Sequence, residues 1–333
     1  MTDRSSDTGS HEPAVVFDGV AKGFGDTPVV SDLDFEVERG TILGLIGPSG
    51  AGKTTVVRLM NGVYRPDAGT VSVFGADPAA MSTRDRTQFG YLPQTPVLFD
   101  ELSLWENLNF HAGLNGVRLR RSSWLRELLE LVELDGHEKK LVREASGGMQ
   151  RRLALAATLV HEPELLMLDE PTAGIDPILR TELWDAFRSL ASRGHTLIIT
   201  TQYVGEAAHC EQVGLLTEGT MVAQGPPDTL RRDASGGEMV DITIEQVVDD
   251  ASCAELAEAI HATTWSRTDA HRIRVVVDDA TTVAADVGVV AGRRDLTIRG
   301  TEKVELSYDD MFVELVGRAR RARASEQAGT SHV

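Results

Sequence analysis

The stretch Gly47-Pro48-Ser49-Gly50-Ala51-Gly52-Lys53-Thr54 fits the pattern G-x-x-x-x-G-K-[ST] at every fixed position. Such a loop is a phosphate site only when a strand feeds it and a helix leaves it. Both neighbours are legible. Thr41 to Ile46 is a short apolar run suited to a strand buried on both faces of a parallel sheet. Thr54 to Asn61 sets Val56, Val57, Leu59 and Met60 at helical spacing, with Gly62 placed to end the helix. The glycines let the main chain wrap an anion, so that successive N–H groups and the helix N-terminus face phosphate oxygens. Gly47 through Thr55 would then line a nucleotide's phosphates, with Lys53 reaching the β and γ groups and the Thr54 hydroxyl ligating Mg²⁺.

A second site element follows downstream. Leu165-Leu166-Met167-Leu168 is an apolar run that delivers Asp169 and Glu170 at its end, where open α/β sheets bind ligands. Asp169 suits Mg²⁺, and Glu170 suits a general base for water. Four other positions accompany this pair. Gln94 stands where the strand Phe89 to Leu92 gives out into a loop. Ser146-Gly147-Gly148 opens the helix leading into Leu153 to Val160 and forms a second anion nest. Gln202 lies just past the β-branched strand Thr196 to Thr200. Phe24, between Gly23 and Gly25, offers a ring either to stack on a base or to pack on a sheet. Asp176-Pro177 is an N-cap with proline at N1, opening a helix to about Arg193. Val97-Leu98-Phe99 and the helix begun by the capping box Ser103 to Glu106 form an apolar surface, read either as core or as a docking surface for a partner helix.

The formal charge of −18 argues against gripping nucleic acid or anionic lipid. Only five of the 33 basic residues are lysine, a bias expected of a salt-adapted or GC-rich source. Cys210 and Cys253 lie far apart without metal or redox spacing, and read as small buried side chains in a reducing compartment. No apolar run approaches the 18 or so residues a span needs, so the chain is expected to be cytoplasmic and to reach a membrane only through another chain.

Taken together, these segments resemble the nucleotide-binding cassette of ABC transporters over about Ala14 to Pro227. Phe24 sits where that family stacks adenine, Gly47 to Thr54 is its Walker A, Gln94 its Q-loop, Ala145 to Met149 its signature, Leu165 to Glu170 its Walker B and Ala173 to Asp176 its D-loop. Two positions depart from the family pattern. The signature begins Ala145-Ser146 rather than Leu-Ser, which keeps the hydroxyl and both glycines. The switch histidine is Gln202, an amide that can donate to a γ-phosphate but carries no charge. The resemblance implies ATP and Mg²⁺ as cofactors, with Thr54, Gln94 and Asp169 at the metal and Lys53, Glu170 and Gln202 as catalytic groups. It also implies a homodimer or paired cassette joined head to tail, each ATP lying between one Walker A and the other chain's Ser146, Gly147 and Gly148, and a separate transmembrane permease.

From Asp233 onward the composition shifts. Strands at Met239 to Ile244, His271 to Val277 and Leu296 to Arg299 alternate with helices, one capped by Ser252 to Glu255, in a β-α-β-α-β-α order. That order predicts a small α+β, ferredoxin-like domain. His261 and His271 have no partner at metal-ligand spacing and read as surface or packing residues. The segment Tyr308 to Leu315 resembles the C-terminal end of drug-type exporter ATPases. The expected organisation is a disordered lead at 1–13, a P-loop ABC cassette at 14–232 with a mixed sheet and a helical subdomain at about 95–160, a hinge at 233–238, an accessory domain at 239–317 and a disordered tail at 318–333. The expected function is the ATPase of an ABC exporter of drug-resistance or ABC-2 type. The alternatives are a soluble ABC ATPase serving translation or DNA repair, and an ATP-dependent switch that hydrolyses poorly.

Overall fold

The computed structural model describes residues 12–117, 122–292 and 296–330, with side chains through 325. It divides into two compact units, one running to Gln224 and the other starting at Gly225.

The first unit opens with strands β1 (Val15–Phe24) and β2 (Thr27–Val37), which pair antiparallel. Next come β3 (Ile42–Ile46), buried at all five residues, and the helix α1 (Lys53–Met60) that leaves the glycine-rich loop. An eight-residue helix is too short to persist alone. Burial of Val56, Val57, Leu59 and Met60 holds it, each contributing about 1.5–3 kcal/mol. Strands β4 (Ala68–Val73) and β5 (Phe89–Leu92) precede three helices, α2 (Leu104–Leu114), α3 (Ser122–Leu131) and α4 (Gly147–Leu159). The core then resumes with β6 (Leu165–Asp169), α5 (Pro177–Ser192), β7 (Thr196–Thr201), β8 (Gln212–Thr217) and β9 (Thr220–Gly225).

Two sheets result. The larger runs β5-β6-β7-β3-β8-β9, and its first five strands pair parallel. The smaller, β2-β1-β4, is antiparallel. Phe17, Leu33, Leu43, Met60, Met167 and Ile198 join both sheets and α1 in one apolar core. The parallel order sets the C-terminal ends of β3, β6 and β7 side by side, so the residues that follow them share one edge.

Three caps expected from the sequence form as hydrogen bonds. Ser103 and Glu106 complete a reciprocal capping box on α2. Ser146 caps α4, which starts at Gly147. Asp176 accepts from the amides of Ile178 and Leu179 at 3.0 Å each. Caps of this kind are worth about 1 kcal/mol each.

The second unit contains α6 (Pro227–Ser235), β10 (Glu238–Ile244), α7 (Asp250–Ala259), β11 (Thr264–Asp269), β12 (Arg272–Val277), α8 (Ala280–Gly292), β13 (Ile298–Val304) and α9 (Tyr308–Thr330). Its sheet runs β11-β12-β10-β13 with antiparallel pairs throughout. From β10 to β13 the order is β-α-β-β-α-β, the split βαβ arrangement. Val240, Ile242, Ile273, Val275, Leu256 and Val287 form its core.

Several expectations need correction here. Strand β11 does not appear in the β-α-β-α-β-α reading, because all six of its residues are exposed and it carries no alternating apolar face. The cap of α7 is Asp249, which accepts from the Ser252 amide at 2.8 Å, so the helix starts ahead of the Ser252 to Glu255 box. Within the segment 233–238, expected as a hinge, α6 runs on to Ser235. Gly236 stands at φ 78° as the left-handed C-cap of α6, and β10 begins at Glu238. The tail after residue 318 is helical through Thr330. Alanine, arginine and glutamate favour helix there, and Arg318 anchors it by donating at 2.8 Å to the carbonyls of Asp233 and Ala234 at the end of α6. Of the expected disordered lead, residues 1–11 lie outside the described residues.

Candidate functional site

The glycine-rich loop connects the last residue of β3 to the first turn of α1, and its conformation depends on two of its glycines. A Cβ on Gly47 would lie 2.1 Å from the Leu216 carbonyl oxygen, so only hydrogen fits between loop and sheet. Gly52 stands at φ 104° as the N-cap of α1, a region that side chains disfavour. Between them Pro48, Ser49 and Gly50 are exposed. Thr54 and Thr55, in the first turn of α1, are partly buried.

Five of the expected groups converge just past the ends of β3, β5 and β6. Lys53 is 5% exposed, and its Nζ donates to the carbonyls of Gly47 at 2.8 Å and Pro48 at 3.1 Å. The same nitrogen stands 3.5 Å from Glu170 Oε1. Burial pushes the Lys53 pKa down, and the neighbouring Glu170 and Asp169 carboxylates partly restore it. The Thr54 hydroxyl donates to Asp169 Oδ2 at 3.0 Å. Glu170 turns away from the strand at φ 49°, which aims its carboxylate back toward Lys53. Gln94, two residues beyond β5, donates from Nε2 to Glu170 Oε2 at 2.9 Å. On the other side of the loop, Ser49 Oγ donates to Gln202 Oε1 at 3.2 Å, and the Gly47 amide donates to the Thr201 carbonyl at 3.2 Å.

Thr200, read from the sequence only as part of a strand, holds the two carboxylate residues together. Its hydroxyl donates to Asp169 Oδ1 at 2.6 Å and accepts from the Glu170 amide at 3.0 Å. A threonine near the end of the strand that pairs with β6 is the only sequence signal for this role, and it needs the strand order to be read. Thr200 is fully buried. Thr200→Val keeps the shape but leaves one Asp169 oxygen without its donor, and is expected to cost about 1–3 kcal/mol. A lowered urea midpoint at unchanged slope is the expected readout.

Other expected residues stand apart. Among the described residues no hydrogen bond or ion pair joins Ser146, Gly147 or Gly148 to the glycine-rich loop; Ser146 and Gly147 are exposed at the N-terminus of α4. Gly148 abuts α5, where a Cβ would lie 2.5 Å from Leu179 Cδ2. Phe24 closes the β1–β2 hairpin, 44% exposed, edge-on to Tyr64 at 5.0 Å with Lys22 Nζ 5.7 Å from its ring. The apolar segment after Gln94 divides: Leu104, Leu108 and Ala112 are buried, whereas Val97, Phe99, Phe110 and Leu114 are exposed, with the two phenyl rings 4.5 Å apart.

The metal expectation fits these donors. Thr54 and Asp169 supply hard oxygen ligands 3.0 Å apart, and Gln94, whose Nε2 donates to the neighbouring Glu170, carries an amide oxygen as a third donor type. Among the described residues no three His, Cys, Asp or Glu cluster to cage a metal alone. That suits Mg²⁺, which is held by one or two protein oxygens together with water and phosphate. Among the described residues no helix is long and apolar enough to cross a membrane.

The chain as a whole is similar to known proteins. Residues 30–173 match the family model described as ABC transporter. The daunorubicin resistance ATP-binding protein DrrA3 of Streptomyces coeruleorubidus is 37% identical over 94% of this chain and 98% of its own. The Nod factor export ATP-binding protein I of Rhizobium etli is 39% identical over 72% of this chain and 76% of its own. A solved ATP-binding subunit of an ABC transporter superimposes with a TM-score of 0.61 at 28% identity, over 67% of this chain and 93% of that one. A relative matched over nearly its whole length and a shared fold leave one family: the chain belongs to the ATP-binding subunits of ABC transporters, among the drug-resistance and ABC-2 type ATPases.

Proposed function

We propose that this ATPase drives export through a separate permease, binding MgATP at a head-to-tail interface between two cassettes. The observation that carries the reading is the convergence of Lys53, Thr54, Asp169, Glu170 and Gln94 at one sheet edge. Lys53, which donates to its own loop carbonyls, turns to the β and γ phosphate oxygens, and the main-chain amides of Gly50 to Thr55 surround them. Thr54, Asp169 and Gln94 would hold Mg²⁺, which when bound would supply positive charge beside the phosphates. Glu170 orients water for in-line attack, with its position set by Gln94 and by the Thr200 hydroxyl. Phe24 stacks the adenine ring. Ser146, Gly147 and Gly148, exposed at a helix N-terminus, complete the partner's site. Loss of the γ-phosphate removes contacts that hold the two chains together.

The exposed Val97, Phe99, Phe110 and Leu114 beside the Gln94 loop form the surface offered to the permease. The names of the relatives support export, and the chain works on the cytoplasmic face of the membrane. Which molecule is moved belongs to the permease.

Steady-state ATP turnover of the purified chain tests this reading, with loss of turnover in EDTA as the expected control. Gln202→His supplies the sharper arm. Gln202 cannot titrate, so the wild-type pH profile carries no ionisation from this position, whereas Gln202→His is expected to add an acid limb near pH 6.5. A wild type without turnover that Gln202→His activates would instead make this chain an ATP-dependent switch.

A further inference from the structure

Arg151 lies in α4, five residues after the Ser146 cap and 7% exposed. Its guanidinium is spent on main-chain carbonyls from two segments of the site. Nη1 donates to Gln94 at 2.5 Å and Nε to Pro171 at 2.9 Å. Nη2 donates to Glu170 and, at 3.5 Å, to Asp169. One planar fork therefore spans the Gln94 loop and the Asp169 to Pro171 turn, in a site where each bond to an ionised donor is stronger than a neutral one.

This arrangement has a mechanical consequence. Glu170 occupies φ 49°, a conformation uncommon for a residue with a side chain, so something must hold it there. Its amide is held by Thr200, from the sheet, and its carbonyl by Arg151, from α4. Helices move as rigid rods, with about 1.5 Å of rise per residue. Arg151 thus lies within about 8 Å of the exposed cap at Ser146 and Gly147, and a shift of that helix end carries the guanidinium with it.

We infer that Arg151 is a positioning residue that makes the placement of Glu170 and Gln94 depend on the helix carrying Ser146, Gly147 and Gly148. Engagement of that helix end by the partner's nucleotide is then relayed, through one side chain, to the carboxylate that orients water. The inference rests on the roles given above to Glu170 and to the Ser146 cap. Binding of nucleotide by Lys53 and Thr54 does not pass through Arg151, so chemistry and binding separate.

The test uses the full chain with Arg151→Lys, which keeps the charge but not the fork, and Arg151→Gln, which keeps two donors. Turnover, KM for ATP, affinity for ADP, thermal midpoint and mass in MgATP are measured, with Glu170→Gln alongside. The expected result is a fall in kcat of about 10²-fold, with KM and ADP affinity within about threefold of wild type and an ATP-bound dimer accumulating as in Glu170→Gln. Wild-type kcat in both variants overturns the inference. So does loss of ADP affinity in step with kcat, or failure of both variants to fold, since either makes Arg151 a structural brace. Full turnover in Glu170→Gln would instead remove the functional reading on which the inference stands.

Discussion

Glu170→Gln is expected to lower ATP turnover about 10²–10⁴-fold, the contribution of a positioned acid–base group, while leaving ATP bound. The geometry explains the separation. Glu170 Oε2 accepts from Gln94 and Oε1 faces Lys53 at 3.5 Å, so glutamine can occupy the same volume at the same backbone angle. What it loses is the second lone-pair-bearing oxygen that orients water. Retained binding with lost turnover, read as an unchanged nucleotide titration beside a flat phosphate-release trace, is the expected pattern. Equal losses in binding and turnover would place Glu170 in the cradle rather than at the chemistry.

Gly47→Ala is expected to be more damaging than any other single methyl added to the loop. Its Cβ would meet the Leu216 carbonyl oxygen at 2.1 Å and its carbon at 3.1 Å. Both walls are main chain of the central sheet, since Ile46 pairs with Leu215 across the β3–β8 ladder. Neither wall can swing aside as a side chain could, so the loop itself must shift. Overpacking of this kind costs about 1–3 kcal/mol, and the displaced amides are expected to weaken nucleotide affinity at least about tenfold. Gly50→Ala is the informative contrast. Gly50 has φ 81° but nothing within 4 Å of an added Cβ, so it carries strain of about 1–2 kcal/mol without a clash. Chemical denaturation and nucleotide titration of the two variants separate steric displacement from backbone strain.

The parts of this protein that were legible in its sequence are those written locally. The glycine-rich loop, the apolar run ending in Asp169 and Glu170, and the caps Ser103, Ser146 and Asp176 each carry their own pattern within a few residues. Thr200 and Arg151 carry none. A threonine in a β-branched strand and an arginine in a helix are unremarkable until the order β6-β7-β3 and the return of α4 over the Asp169 turn bring them to main-chain groups far away in sequence. The same limit explains β11, whose exposed Thr264 to Asp269 residues are a strand only because β12 pairs with them. Gly236 shows a local signal with a second use: read as part of a hinge, it stands at φ 78° and supplies the left-handed C-cap of α6.

The measurement closest to the central claim is the light-scattering mass of Glu170→Gln in MgATP and in MgADP, beside the double variant Glu170→Gln, Ser146→Arg. A head-to-tail pair closed by ATP predicts a dimer with MgATP, a monomer with MgADP, and a monomer in both nucleotides once Ser146 is replaced, because the partner's phosphate then meets a blocked helix end. A mass that stays monomeric with ATP bound, or a dimer indifferent to Ser146, would contradict a site shared between two chains.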